Sequence, residues 1–220
     1  MNDLMTKHSQ GPGGSRSEPE GASPVPSRVP TVPIDPMFLD RWSPRAFAPE
    51  PVSKEALASL FEAARWAPSC YNEQPWLFLY ASKEEDLDVF RSLLTPKNRV
   101  WAEGAPVLAI VLARRAFEKN GKPNRWAAFD AGAAWMSLAL QARRLGLYTH
   151  AMAGFDEERA YEALGAPKER YEAMAAIAIG RRGDPPQLPE DLARRETPSL
   201  RKPLAEVAIE GRYPAPAPGA

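Results

Sequence analysis

A chain of 220 residues with 44% hydrophobic content is long enough for one sizeable core with appended tails. Its 28 basic and 28 acidic residues cancel, which argues against a basic field for nucleic acid and against an acidic solvating segment. The single cysteine, Cys70, excludes an internal disulfide framework and fits a reducing compartment.

No signal-type apolar run stands near the start, and no apolar stretch is long enough to span a bilayer. A soluble, cytoplasmic protein without a membrane partner is the expectation. The 24 prolines are unevenly spread. Residues 1–33 hold six Pro, four Gly and five Ser with almost no apolar clusters, too little to offset the entropy of ordering. They read as a disordered head, and residues 213–220 as a flexible Pro/Ala tail. That leaves one working domain, residues 34–212, without an internal repeat.

Asp40 to Phe47 comes first, with Arg41 and Arg45 flanking Ser43. Two guanidinium forks and a hydroxyl at this spacing suit a phosphate or a carbonyl-rich ring edge, although an isolated R-x-S-x-R is more often a solvated turn. Ser53 caps a helix running to about Trp66, with Glu55 in its first turn and Leu57, Leu60, Phe61 and Ala64 on one face. Ala67 to Trp76 follows as a loop. Pro68, Ser69, Asn72 and Pro75 form turns, and the Ser and Asn side chains can bond a ligand. A connecting turn anchored by Trp76 is the plainer reading of it.

Trp76 to Tyr80 predicts a buried strand, and Glu84 to Leu94 a helix ended by Thr95-Pro96. The unbroken apolar run Val107 to Ala113 predicts a strand covered on both faces. Arg114 to Trp126, polar and carrying Asn120-Gly121, reads as a surface excursion, with a variable loop preferred over a lid. Ala127 to Leu145 is the longest helix, with Ala131, Ala134, Trp135, Leu138, Ala142 and Leu145 on one face, stopped by Gly146. Tyr148 to Ala153 is a strand, Asp156 to Leu164 a helix, and Met174 to Ile179 the last interior strand, closed by Gly180. Helices alternating with apolar strands indicate an α+β or α/β sandwich with a covered sheet.

Side-chain chemistry is thin. His150 is the only histidine of the working domain, and a lone strand histidine reads as structural. Cys70 has no sequence neighbour to lower its pKa. There is no Walker loop and no zinc spacing, and Gly-Pro-Gly-Gly at 11–14 lacks a preceding strand. An enzyme built this way needs a cofactor.

The order of motifs resembles the FMN-dependent nitroreductase family from about Asp35 to Ile209. The residues that carry this are R-W-S-P-R-A-F (41–47), P-S-C-Y-N-E-Q-P-W (68–76), Asn98 ahead of Ala105-Pro106, A-M-A-G-F-D (151–156) and R-K-P-L-A-E-V (201–207). The resemblance implies an α+β three-layer sandwich, a central mixed sheet flanked by helices, in an intertwined homodimer with FMN sites built from both chains. It implies that Arg41, Ser43 and Arg45 contact the phosphate, ribityl chain and pyrimidine edge, with Trp42 contributing through its backbone. Pro68, Ser69, Cys70 and Asn72 approach the flavin from the other subunit, and Asn98 reaches the ring. Backbone groups of Ala153 and Gly154 face the flavin near N5, and Arg201 pairs with the phosphate. Electrons pass from NADH or NADPH to a small electron-poor acceptor such as a nitroaromatic or quinone. No catalytic side chain and no metal ligand are implied. Ala153, where many relatives carry an acidic residue, and Cys70, in place of Ser or Gly, depart from the pattern. Reductive dehalogenation, flavin destruction and non-enzymatic flavin binding stay open as alternatives. Arg114 and Arg115 are weak candidates for the extra phosphate of NADPH.

Overall fold

The computed structural model describes residues 28–185 and 188–213. The Gly-Pro-Gly-Gly run and the tail from Pro214 onward lie outside the described residues. Arg28 is held by three hydrogen bonds to the carbonyls of Leu39, Arg41 and Ser199. These partners lie more than ten residues away in sequence, beyond the reach of local composition.

The frame is a four-stranded sheet in the order β1-β2-β4-β3, with β1 Trp76–Ala81, β2 Val107–Arg114, β3 Tyr148–Met152 and β4 Tyr171–Gly180. Every hydrogen-bonded pair among the described residues is antiparallel, which corrects the expected mixed sheet. The reason is topological. The β2–helix–β3 crossover sets β2 and β3 parallel, but β4 runs between them in the opposite direction and separates the pair.

Helices cover both faces. On one, α2 (Lys54–Arg65) and α5 (Ala127–Arg144) pack Leu57, Leu60, Ala131, Ala134 and Leu138 onto Val107, Ala109 and Val111 of β2. On the other, α3 (Glu84–Leu93), α4 (Pro96–Ala102) and α6 (Glu157–Leu164) pack against Leu108, Ile110 and Leu112. Strand β2 therefore alternates between two apolar layers, as its unbroken hydrophobic run requires. Replacing fully buried Leu60 by Ala would cost about 2–5 kcal/mol by the usual cavity scale.

Local signals explain the boundaries. The Ser53 side chain accepts the Ala56 N–H to cap α2, and Asp156 accepts the Arg159 N–H to cap α6. Gly146 takes φ +73° directly after α5, the left-handed turn that glycine allows at no steric cost. One bulge interrupts the sheet. Val111 pairs with Ala175 and Leu112 with Ala173, so Met174 is skipped and joins Ala175 on the α2/α5 side. Asn98 lies on α4, which begins at Pro96, separated from the end of α3 by Leu94 and Thr95.

Candidate functional site

The segment after α1 (Pro36–Asp40) is extended, and its burial alternates with the period of a strand. Trp42, Pro44 and Ala46 turn inward, while Arg41, Ser43 and Arg45 are only half-buried. Trp42 is packed by Tyr148 edge-on at 6.1 Å and by the Arg182 guanidinium at 5.2 Å. The Phe47–Arg182 bridge, the Asp40–Arg143 ion pair at 2.7 Å and the His150 bond to Pro44 O fix the segment along its length.

Its polar side lines a cavity of about 510 Å³ shared with Arg28, His150, Arg194, Arg195, Thr197, Ser199 and Arg201. Thus the structure brings Arg41, Trp42, Ser43, Arg45 and Arg201 together, although 160 positions separate Arg41 from Arg201. Arg28, Arg194, Arg195, Thr197 and Ser199 were not singled out by sequence. Among the described residues Arg28, Arg41, Arg45, Arg195 and Arg201 pair with no carboxylate, and Arg194 has only an exposed bridge to Glu190. Burial, and then the charges of Arg201 and Arg28, lower the pKa of Arg41. Arg28 is lowered by burial and by Arg201. Clustered guanidinium groups with so few carboxylate partners among the described residues suit an anion.

His150 shares the lining but is held in place. A carbonyl can only accept, so Nδ1–H donates to Pro44 O at 2.8 Å, and the ring packs tilted against Trp101 with centroids 4.5 Å apart. Burial pushes its pKa down to about 4, against the raising effect of that hydrogen bond and with help from the charges of Arg45 and Arg41. A neutral, tethered imidazole agrees with the structural reading of this residue.

The loop at 68–75 stands apart and contributes nothing to the cavity lining. Pro68 and Asn72 are exposed, and Ser69 and Cys70 are half-buried. Tyr71, Asn72 and Gln74 have φ of 52°, 57° and 48°, a left-handed backbone uncommon outside glycine. Local bonds impose it. Asp130 Oδ2 accepts the Cys70 N–H at 3.1 Å, Ser69 Oγ accepts the Gln74 N–H at 3.0 Å, and Arg114 donates to Glu73 O at 2.7 Å. Asp130 is 3% exposed and lies in the first turn of α5, where the helix dipole favours an anion. Sequence reasoning missed it, since an acidic residue at a helix start is common.

Asn98 and Gly154 form a third group. Asn98 Nδ2 and Thr95 Oγ1 donate to Gly154 O at 2.9 and 3.1 Å. A Cβ built on Gly154 would come within 2.5 Å of Asn98 Nδ2 and 2.8 Å of Thr95 Oγ1. Ala153 beside it is exposed. Neither Ala153, Gly154 nor Asn98 lines the arginine cavity.

The 114–126 excursion is tied down. Ala116 bridges Pro123, Phe117 N–H donates to Lys122 O at 2.8 Å, and Arg114 pairs with Glu118 at 2.9 Å. Arg115 donates to the Lys168 and Tyr171 carbonyls and pairs with Glu172. Both arginines are occupied, which weakens their candidacy for a nicotinamide phosphate. No cluster of potential metal ligands and no helix long and apolar enough to cross a membrane occurs among the described residues.

The nitroreductase family model matches residues 39–96 and 90–181, and the chain belongs to that family. A solved structure described as an oxidoreductase containing FMN is 47% identical, with a TM-score of 0.82, covering 86% of this chain and 97% of its own. A nitroreductase-type protein of Desulfovibrio desulfuricans solved with FMN is 28% identical, with a TM-score of 0.63, covering 81% of this chain and 96% of its own. A Streptomyces coelicolor protein with the provisional name NADH dehydrogenase/NAD(P)H nitroreductase is 27% identical over 75% of this chain and 90% of its own. The donor set fits the phosphate end of FMN: unpaired guanidinium groups and hydroxyls around one cavity suit a phosphate monoester.

Proposed function

We propose that the chain is a homodimeric flavoprotein oxidoreductase, passing electrons from NADH or NADPH through FMN to an electron-poor acceptor such as a nitroaromatic or a quinone. The observation that carries this reading is the arginine cavity, whose cations, among the described residues, pair with no carboxylate except at Arg194. Arg41 and Arg201 hold the phosphate, and Ser43 and Arg45 reach the ribityl chain and the pyrimidine edge. Bound FMN supplies the two-electron chemistry that these side chains lack. A cation at the pyrimidine edge stabilises negative charge developing there, and an arginine fork suits a phosphate better than lysine does.

The other half of the site is supplied by a second copy of the chain. Pro68, Ser69, Cys70 and Asn72 are wholly or partly accessible and lie outside this chain's own cavity, which supports a flavin shared between subunits. Asn98, Ala153 and Gly154 serve the ring system. The names of the FMN-containing neighbour and of the Streptomyces relative support the cofactor and the donor.

Purified protein should be yellow, release FMN on denaturation and oxidise NADH or NADPH when given a quinone or nitroarene. Absence of flavin, together with no rise in melting temperature at saturating FMN, would refute the reading, because a ligand of the native state must stabilise it. Tight FMN binding without turnover would instead indicate a flavin-storing protein.

A further inference from the structure

Glu196 is the most buried carboxylate of the C-terminal segment, 4% exposed, and lies between two cavity-lining residues, Arg195 and Thr197. Its own side chain turns away from the cavity lining. Oε1 accepts the backbone N–H of Arg45 at 2.7 Å and that of Ala46 at 2.9 Å, contacts spanning 151 and 150 positions. Oε2 is buried and has no partner among the described residues. Burying a carboxylate with one oxygen unsatisfied is costly, so the arrangement calls for an explanation beyond packing.

We propose that Glu196 is a positioning residue for the anion site, riveting the C-terminal wall that carries Thr197, Ser199 and Arg201 to the Arg41–Arg45 wall. The inference rests on the reading of this cavity as the phosphate site. One oxygen holding two successive N–H groups fixes the backbone of Arg45, and so the direction from which Arg41, Ser43 and Arg45 enter. The alternating burial of residues 41–46 aims the side chains, and Glu196 sets their distance from the opposite wall.

The test uses the full-length protein and compares wild type, Glu196→Ala and Glu196→Gln. Binding of FMN, riboflavin and inorganic phosphate is measured by calorimetry and by the shift of melting temperature. Loss of the rivet should weaken FMN and phosphate by about tenfold or more in Glu196→Ala, the scale of a charge-assisted hydrogen bond. Riboflavin, which lacks the phosphate, should change by less than about threefold on the same scale. Glu196→Gln keeps an acceptor oxygen and should fall between, and it decides the matter if the alanine variant does not fold. A lowered melting temperature with unchanged phosphate affinity, or equal losses for FMN and riboflavin, would overturn the positioning role. If wild type binds phosphate but not FMN, the flavin reading fails alone and the phosphate comparison still decides Glu196. If wild type binds neither, both readings fall.

Discussion

The Cys70 backbone N–H donates to Asp130 Oδ2 across 60 positions, so a strained loop is moored to the first turn of the longest helix. Left-handed backbone at Tyr71, Asn72 and Gln74 costs about 1–3 kcal/mol at each position and persists only when neighbours over-determine it. Asp130 is one of those neighbours. Asp130→Ala should destabilise the protein by about 1.5–3 kcal/mol, the scale of a hydrogen bond to a charged group. Urea unfolding measures the loss, and limited proteolysis should show faster cleavage within residues 69–74. Unchanged stability and cleavage would mean that the loop is held by its other bonds.

Gly154→Ala should be destabilising, because the new methyl meets Asn98 Nδ2 and Thr95 Oγ1 below contact distance. Overpacking of this kind costs about 1–3 kcal/mol. Adding Asn98→Ala should relieve part of it, so a double-mutant cycle should show coupling. Simple additivity would indicate that Asn98 swings away freely.

Arg41→Ala and Arg201→Ala should each cost about 1.5–3 kcal/mol of FMN affinity, the usual range for a hydrogen bond to a charged group. Riboflavin should lose much less. Calorimetric titration with both ligands distinguishes a phosphate contact from a general loss of structure, which would weaken the two equally.

His150 links stability to acidity. Folded, the imidazole stays neutral until about pH 4; in the unfolded chain it protonates near its ordinary value of 6.5. Between those values the unfolded state binds more protons, so this contribution is complete above 6.5 and is lost as pH falls toward 4. The stability difference between wild type and His150→Asn should shrink by about 2 kcal/mol from pH 7 to pH 5. Chemical denaturation at the two pH values checks it, and a constant difference would contradict a ring kept neutral in the folded protein.

Much of the scaffold was legible because its signals are local. Ser53 and Asp156 cap their helices, Gly146 ends α5, and the unbroken run at Val107 announces a strand covered on both faces. The sheet's pairing was not legible. The expected mixed sheet gave way to antiparallel pairs because β4 separates β2 from β3, and no periodicity encodes which strand inserts where. On the cavity, Arg41, Ser43, Arg45 and Arg201 were found through recognisable motifs, and the arginine at 28 was lost in a stretch that composition marked as disordered. Asp130 and Glu196 went unread for one reason: each acts on backbone N–H groups 60 or more positions away. Such partners are set by the fold.

The place of β4 also matters during synthesis. A ribosome finishes β1, β2 and β3 before residues 171–180 exist, and until then β2 has a partner on one edge only. Its other edge, belonging to seven consecutive buried apolar residues from Val107 to Ala113, stays open to any extended chain nearby. An unpaired, uncharged, hydrophobic edge is the kind that templates aggregation. A nascent chain stalled before Tyr171 therefore needs shielding that the finished protein does not.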